Sequence, residues 1–219
     1  MTGMIEMRIE GIEGIEDGLF RLLIPFEDAI MTTVYVVCGE DGVTLIDSAT
    51  HPSDVEDFIL PALEHLGIHT SDVRCLLLTH AHGDHAGGAE HLLECLPNAV
   101  LRAPFDVGLP RFSKICDGEH PTHRLKAVSL PGHTRDSMAF LDLPTGTLLS
   151  GDCLQLFGVG KYRSGIGYPD LYRRSVERLR GMELSQIVAA HEYDPLGSIA
   201  RGKEEIEAYL STCLSVIPD

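Results

Sequence analysis

Between Leu78 and Gly88 the chain reads Leu-Thr-His-Ala-His-Gly-Asp-His-Ala-Gly-Gly, so His80, His82, Asp84 and His85 fall within six positions. Neutral imidazole and carboxylate together suit a borderline divalent cation, Zn²⁺ first, with Fe or Mn as alternatives. The apolar run Val73–Leu78 before them has the character of a buried strand. Side chains alternate along a strand, so His80 and His82 leave its end on the same side. Gly83 then lets the chain turn and bring Asp84 and His85 around.

This stretch resembles the signature of the metallo-β-lactamase superfamily, His-x-His-x-Asp-His after a strand, and the likeness runs from about Thr33 to His191. Three further pieces match that family's pattern in order: Pro131-Gly132-His133-Thr134, Gly151-Asp152 after Leu148-Leu149, and His191 after Ile187-Val188-Ala189-Ala190. The resemblance implies an αββα sandwich with a two-metal site. His80, His82 and His133 would hold one ion, Asp84, His85 and His191 the other, and Asp152 would bridge them. It places Asp47 near the metal site as a hydrogen-bonding support and not a ligand.

The same resemblance implies a metal-dependent hydrolase acting on a small molecule. Two ions roughly 3.5 to 4 Å apart hold a hydroxide between them, and metal binding lowers the pKa of water from about 15.7 towards about 7. Asp84 or Asp152 relays the proton. True β-lactamases lack an Asp where Asp152 stands, so a thioester or lactone is favoured over a β-lactam. Flavodiiron oxidoreductases carry an acid in place of His82, which sets them aside. Glyoxalase II-type enzymes have a helical C-terminal extension that residues 192–219 are too few to supply, so glutathione thioesters are not the favoured subset. Two other classes share the fold. Persulfide dioxygenases use one iron, held by the residues matching His80, His133 and Asp152, and a non-catalytic sensor would have no need of an open, water-bearing metal pair.

Composition is that of an ordinary globular protein. The 219 residues suffice for one domain with a sizeable core, and 44% hydrophobic against 23% charged residues is ordinary for such a fold. A formal charge of −16 repels polyanions and weighs against a nuclease, although bound divalent ions reverse the field locally. No apolar run reaches the ~20 residues of a membrane span, and Met1–Glu10 lacks the look of a leader, so a cytoplasmic protein without nucleic-acid or membrane partners is expected. Its oligomeric state is not legible. Six scattered cysteines without a Cys-x-x-Cys pair read as reduced, mostly core residues, with Cys153 beside the site.

The elements that must position the ligands can be read in outline. Strands are expected at Met4–Glu10, Leu19–Ile24, Thr33–Cys38 and Val43–Ile46, with Gly11–Gly18 as a turn. An amphipathic helix is expected over Pro52–Leu66, with Ser53 as N-cap, Gly67 as stop and a kink at Pro61. Gly87-Gly88 opens a helix through Cys95, in which His91 reads as a solvated or core histidine. A second meander is expected over Leu125–Leu130, Met138–Leu141 and Thr147–Leu149, then a helix over Asp170–Leu179, a strand over Gln186–Ala190 and a closing helix over Ser198–Leu214.

Two loops are candidates for contact with substrate. Residues 104–124, the least regular part of the chain, carry Arg111, Lys114, His120, His123 and Arg124. Residues 154–168 read as a lid in which Lys161 or Arg163 meets a substrate carboxylate and Tyr162 or Tyr168 donates to an oxyanion. Where the family often has Pro-Gly after His-Thr, this chain has Arg135-Asp136.

Overall fold

The computed structural model describes residues 11–27, 30–155, 165–191 and 197–217. Among the described residues, seven strands form the first sheet in chain order: β1 (Ile12–Glu16), β2 (Leu19–Glu27), β3 (Ile30–Gly39), β4 (Gly42–Ile46), β5 (Val73–Leu77), β6 (Val100–Ala103) and β7 (Phe112–Lys114). The first four pair antiparallel, and β4 to β7 run parallel. The second sheet contains β8 (Leu125–Ser129), β9 (Met138–Asp142), β10 (Thr147–Leu149), β11 (Gln186–Val188) and β12 (Ile199–Arg201) in the order β12-β11-β10-β9-β8. Helices α1 (Pro52–Asp54), α2 (Leu60–His65), α3 (Gly83–Ala86) and α4 (Ala89–Cys95) accompany the first sheet, and α5 (Pro169–Arg180) and α6 (Gly202–Ser215) the second. This is the αββα sandwich.

Strand periodicity explains the layering. On β3, Val34 and Val36 join the apolar layer beneath α2 and α4, whereas Tyr35 and Val37 face the layer between the sheets. On β10 and β11, Leu148 and Ile187 pack towards α5 and α6, while Leu149 and Val188 point to that same middle layer. Each central strand therefore feeds two cores, which is why these strands read as continuous apolar runs. Polar ties hold the sheets in register: Tyr35 donates to the carbonyl of Val188 at 3.2 Å, and the Thr33 hydroxyl donates to that of Ala190.

Several boundaries differ from expectation. Gly11–Gly18 is not only a turn, because Ile12–Glu16 pairs with β2 as an edge strand that its acids and glycine disguise. The Met4–Glu10 strand lies outside the described residues. The helix at 52–65 starts at His51 and not Ser53, since the Asp54 carboxylate accepts the backbone N–H groups of His51 at 2.8 Å and Thr50 at 3.0 Å. A π-turn at Val55–Ile59 precedes Pro61, which lacks the N–H that an α-turn there would use. Ile199–Arg201 is a strand, so the last helix begins at Gly202.

Two basic residues of the 104–124 loop, Arg111 and Arg124, have structural partners. Arg111 donates to the carbonyls of Leu93, Leu96 and Pro97 at the C-terminal end of α4. Arg124 pairs with buried Asp142 and also donates to the carbonyls of Cys38 and Asp17. Arg124 ties the two sheets together, whereas Arg111 fixes the loop to the end of α4.

Phe140 fills the middle layer, fully buried opposite Ala127 and Leu149 on its two neighbouring strands. Phe140→Ala is expected to lower stability by about 3–5 kcal/mol, read as the shift of the urea midpoint at unchanged slope.

Candidate metal centre

All seven singled-out side chains come from strand ends on one edge of the sandwich. His80 and His82 come after β5, Asp84 and His85 lie in α3, His133 sits between β8 and β9, Asp152 is in the 3₁₀ turn after β10, and His191 lies just past β11. The edge is assembled across both sheets, with the Met138 N–H donating to the carbonyl of Thr79 at 2.9 Å.

Two clusters result. His133 Nε2 lies 3.1 Å from His80 Nε2 and 2.8 Å from His82 Nδ1, so three imidazole nitrogens converge on one point. In the second cluster, Asp84 Oδ2 is 3.4 Å from His85 Nε2 and 3.3 Å from His191 Nε2. Asp152 belongs to both. Its Oδ1 lies 3.3 Å from His85 Nε2 and 3.2 Å from His191 Nε2, while its Oδ2 is 3.4 Å from His133 Nε2.

Supporting groups fix which nitrogen of each ring faces inward. His133 Nδ1 lies 2.8 Å from the carbonyl of Gly165 and His191 Nδ1 lies 2.9 Å from that of Met31. A carbonyl only accepts, so each Nδ1 carries a proton, and Nε2 is the nitrogen turned inward to face a cation. Asp47, fully buried, accepts from His85 Nδ1 at 2.7 Å, from the Thr79 N–H at 2.8 Å and from the Thr79 hydroxyl at 2.9 Å. With its proton committed to Asp47, the Thr79 oxygen accepts from His80 Nδ1 at 3.0 Å. One carboxylate thus orients a ring in each cluster.

The loop carrying Asp47 is tightly held. Asp47 and Ala49 have φ of +66° and +56°, and the Ser48 N–H and hydroxyl both donate to the carbonyl of His85. A Cβ on Gly87 would lie 2.1 Å from the carbonyl oxygen of Thr50, and one on Gly88 would lie 2.3 Å from that of Ser48. The paired glycines are therefore required for backbone to pass backbone.

The electrostatics differ between the clusters. Burial, aided by His85, holds His80 well below the ordinary imidazole range, and burial with His133 lowers His82, so both rings are neutral at neutral pH. Burial works upward on Asp84 and Asp152, but His191 and His85 overrule it and hold both carboxyls well below their usual range. Burial likewise opposes charge on His191 and His85, yet Asp152 raises both, His191 to about 10.

The donor set fits divalent cations. His85 Nε2 and Asp152 Oδ1 are buried with no hydrogen-bond partner, although they face each other. Buried polar atoms seldom go unsatisfied, and a cation between these groups accounts for both. His82 is the exposed member of the first cluster, leaving that side open to solvent. Cys153, in contrast, packs into the core beneath α5 and α6 and joins neither cluster.

Around the centre, the Arg135 guanidinium lies over the Tyr168 ring at 4.7 Å, and the Tyr168 N–H donates to the carbonyl of Gly132 at 2.8 Å. Lys161, Tyr162 and Arg163 lie outside the described residues. Sequence reasoning missed Thr79, the carbonyls of Met31 and Gly165, and Phe26, whose ring centroid is 6.4 Å from that of His191. Backbone acceptors carry no side-chain signature, and Phe26 precedes the motif by too far for spacing to connect them.

Asp47→Asn keeps a side chain that tolerates positive φ but cannot accept equally from Thr79 and His85. Cation affinity of the variant, measured by competition with a chromophoric chelator, is expected to fall about 10–100-fold with the far-UV circular dichroism unchanged.

Comparisons with known proteins bear on the family and the fold. Residues 28–113 match the family model described as the metallo-beta-lactamase superfamily. A hydroxyacylglutathione hydrolase of Xanthomonas euvesicatoria is 32% identical over 165 residues, covering 73% of this chain and 60% of that protein. An uncharacterised Bacillus subtilis protein, YobT, is 33% identical over 150 residues, covering 57% of this chain and 62% of its own length. The chain thus spans about 60% of the length of these curated relatives. Among solved structures, the metallo-β-lactamase FIM-1 from Pseudomonas aeruginosa in its mono-zinc form superposes with a TM-score of 0.72 at 22% identity, over 94% of this chain and 96% of that one. Motif, ligand geometry and fold converge with the family model, and residues 28–113 match the metallo-β-lactamase superfamily.

Proposed function

We propose that the protein is a hydrolase of ester-like bonds, thioesters or lactones, that uses two divalent ions, zinc foremost. The observation that carries this reading is Asp152, whose two oxygens face different histidine clusters. His80, His82 and His133 would hold one ion, Asp84, His85 and His191 the other, with Asp152 shared. When bound there, such a pair supplies a nucleophilic water at neutral pH and polarises the substrate carbonyl.

The chain's own residues do the rest. The Nδ1 protons of His85, His133 and His191 are held by Asp47 and by the carbonyls of Gly165 and Met31, so Nε2 faces inward and the rings need no reorientation on loading. Asp84 or Asp152 would relay the proton that the attacking water gives up, and Asp84 is the less buried of the two. A small-molecule substrate enters from the exposed side of His82. Tyr168, with the Arg135 guanidinium over its ring, would meet the substrate's polar end. The thioester preference draws on the relatives named hydroxyacylglutathione hydrolase, at 32% identity.

A panel of thioesters, lactones, phosphodiesters and β-lactams, run on protein shown by elemental analysis to hold two ions, tests the reading. Thioester or lactone turnover is expected. No turnover of any of them by the two-ion protein overturns it, and a single iron with persulfide-dependent oxygen uptake replaces it with a dioxygenase. Asp152→Ala is expected to loosen both ions, whereas His191→Ala loosens mainly one, read from stoichiometry after dialysis against a weak chelator. Equal losses would remove the basis for dividing the ligands in this way.

A further inference from the structure

Outside the metal centre, α4 and the π-turn at Val55–Ile59 bring a second kind of donor set together. His91 and Cys95 are four residues apart on α4 and share one of its faces. Glu56 reaches them from the neighbouring helical segment, and one donor atom from each of Glu56, His91 and Cys95 lies within 4.8 Å of the other two. His91 Nε2 is 2.7 Å from Glu56 Oε1, while on the far side of the ring Nδ1 is 3.6 Å from Glu94 Oε2.

We infer that Glu56, His91 and Cys95 form a further cation site, distinct from the seven-residue centre, for Zn²⁺ or a similarly thiophilic divalent ion. One sulfur, one imidazole nitrogen and one carboxylate oxygen are ligands that zinc accepts together, leaving a fourth position for water. Glu94, 3.6 Å behind the ring, is the carboxylate that would steady a ligating imidazole. The partly exposed ring of His91 and the exposed carboxylate of Glu56 let an ion enter from solvent. Burial, with Glu56 and Glu94, pushes the Cys95 thiol up, so the thiol is protonated until an ion arrives. Binding then releases the thiol proton and the proton shared by His91 and Glu56, and nothing is oxidised. The ion would staple α4, which comes after Gly87-Gly88, to the helical segment beside it.

Cobalt substitution separates this site from the main one, because none of the seven side chains there contains sulfur. Titration of the purified protein with Co²⁺ is expected to fill the two clusters and then one further equivalent, the last with a thiolate-to-cobalt charge-transfer band. Cys95→Ser should abolish that band and leave the other equivalents unchanged. Glu94→Gln should keep the band and weaken the further equivalent about tenfold. Glu56→Ala, on the exposed side of the site, gives a second reading should the serine variant fold poorly, and it too should lose the further equivalent. Absence of a thiolate band, or a band that persists in Cys95→Ser, overturns the inference.

Discussion

A carboxylate removed from water must be matched by positive or proton-donating groups, and the arrangement of this molecule follows from satisfying that demand at Asp152. Only 7% of Asp152 is exposed, and His85, His133 and His191 reach it from three separate segments. Removing any of these rings would leave part of its charge unmatched. A cation meets the same demand more completely than the rings do alone, so the centre is organised for metal before any substrate is considered.

That convergence requires two sheets in fixed register. The middle apolar layer, with Tyr35, Leu77, Phe140 and Leu149 fully buried, sets the spacing between them. Thr33 and Tyr35 then tie β3 to the carbonyls that lead into His191. Beneath the ligands, Asp47 connects His80, through Thr79, with His85, so one buried acid aligns donors in both clusters. The positive φ of Asp47 and Ala49 marks the local strain of that loop, which the close approach of Gly87 and Gly88 holds in place.

Much of this is legible in the sequence because the informative signals are local. The spacing of His80, His82, Asp84 and His85 after an apolar run, and the turn glycines beside His133 and Asp152, are visible within a few residues of each other. Central strands are readable for the same reason, since burial on both faces makes them uniformly apolar. Features that escape a sequence reading depend on partners distant in the chain. The strand at Ile12–Glu16 is recognisable only by its pairing with β2, and that at Ile199–Arg201 only by its pairing with β11. Arg111 and Arg124 read as loop cations, yet the carbonyls and the carboxylate they clamp lie many residues away. The role of Asp47 is accessible through family resemblance alone, because nothing near it in sequence names Thr79 or His85 as its partners.

Neither sheet owns a complete cluster. His80, His82, Asp84 and His85 leave the first sheet, whereas His133, Asp152 and His191 leave the second. Each ion would therefore sit on the seam, acting as a rivet between halves encoded before and after the 104–124 connection. Were cations bound there, their occupancy would be coupled to the docking of the two halves, and a chelator would weaken the join between the sheets.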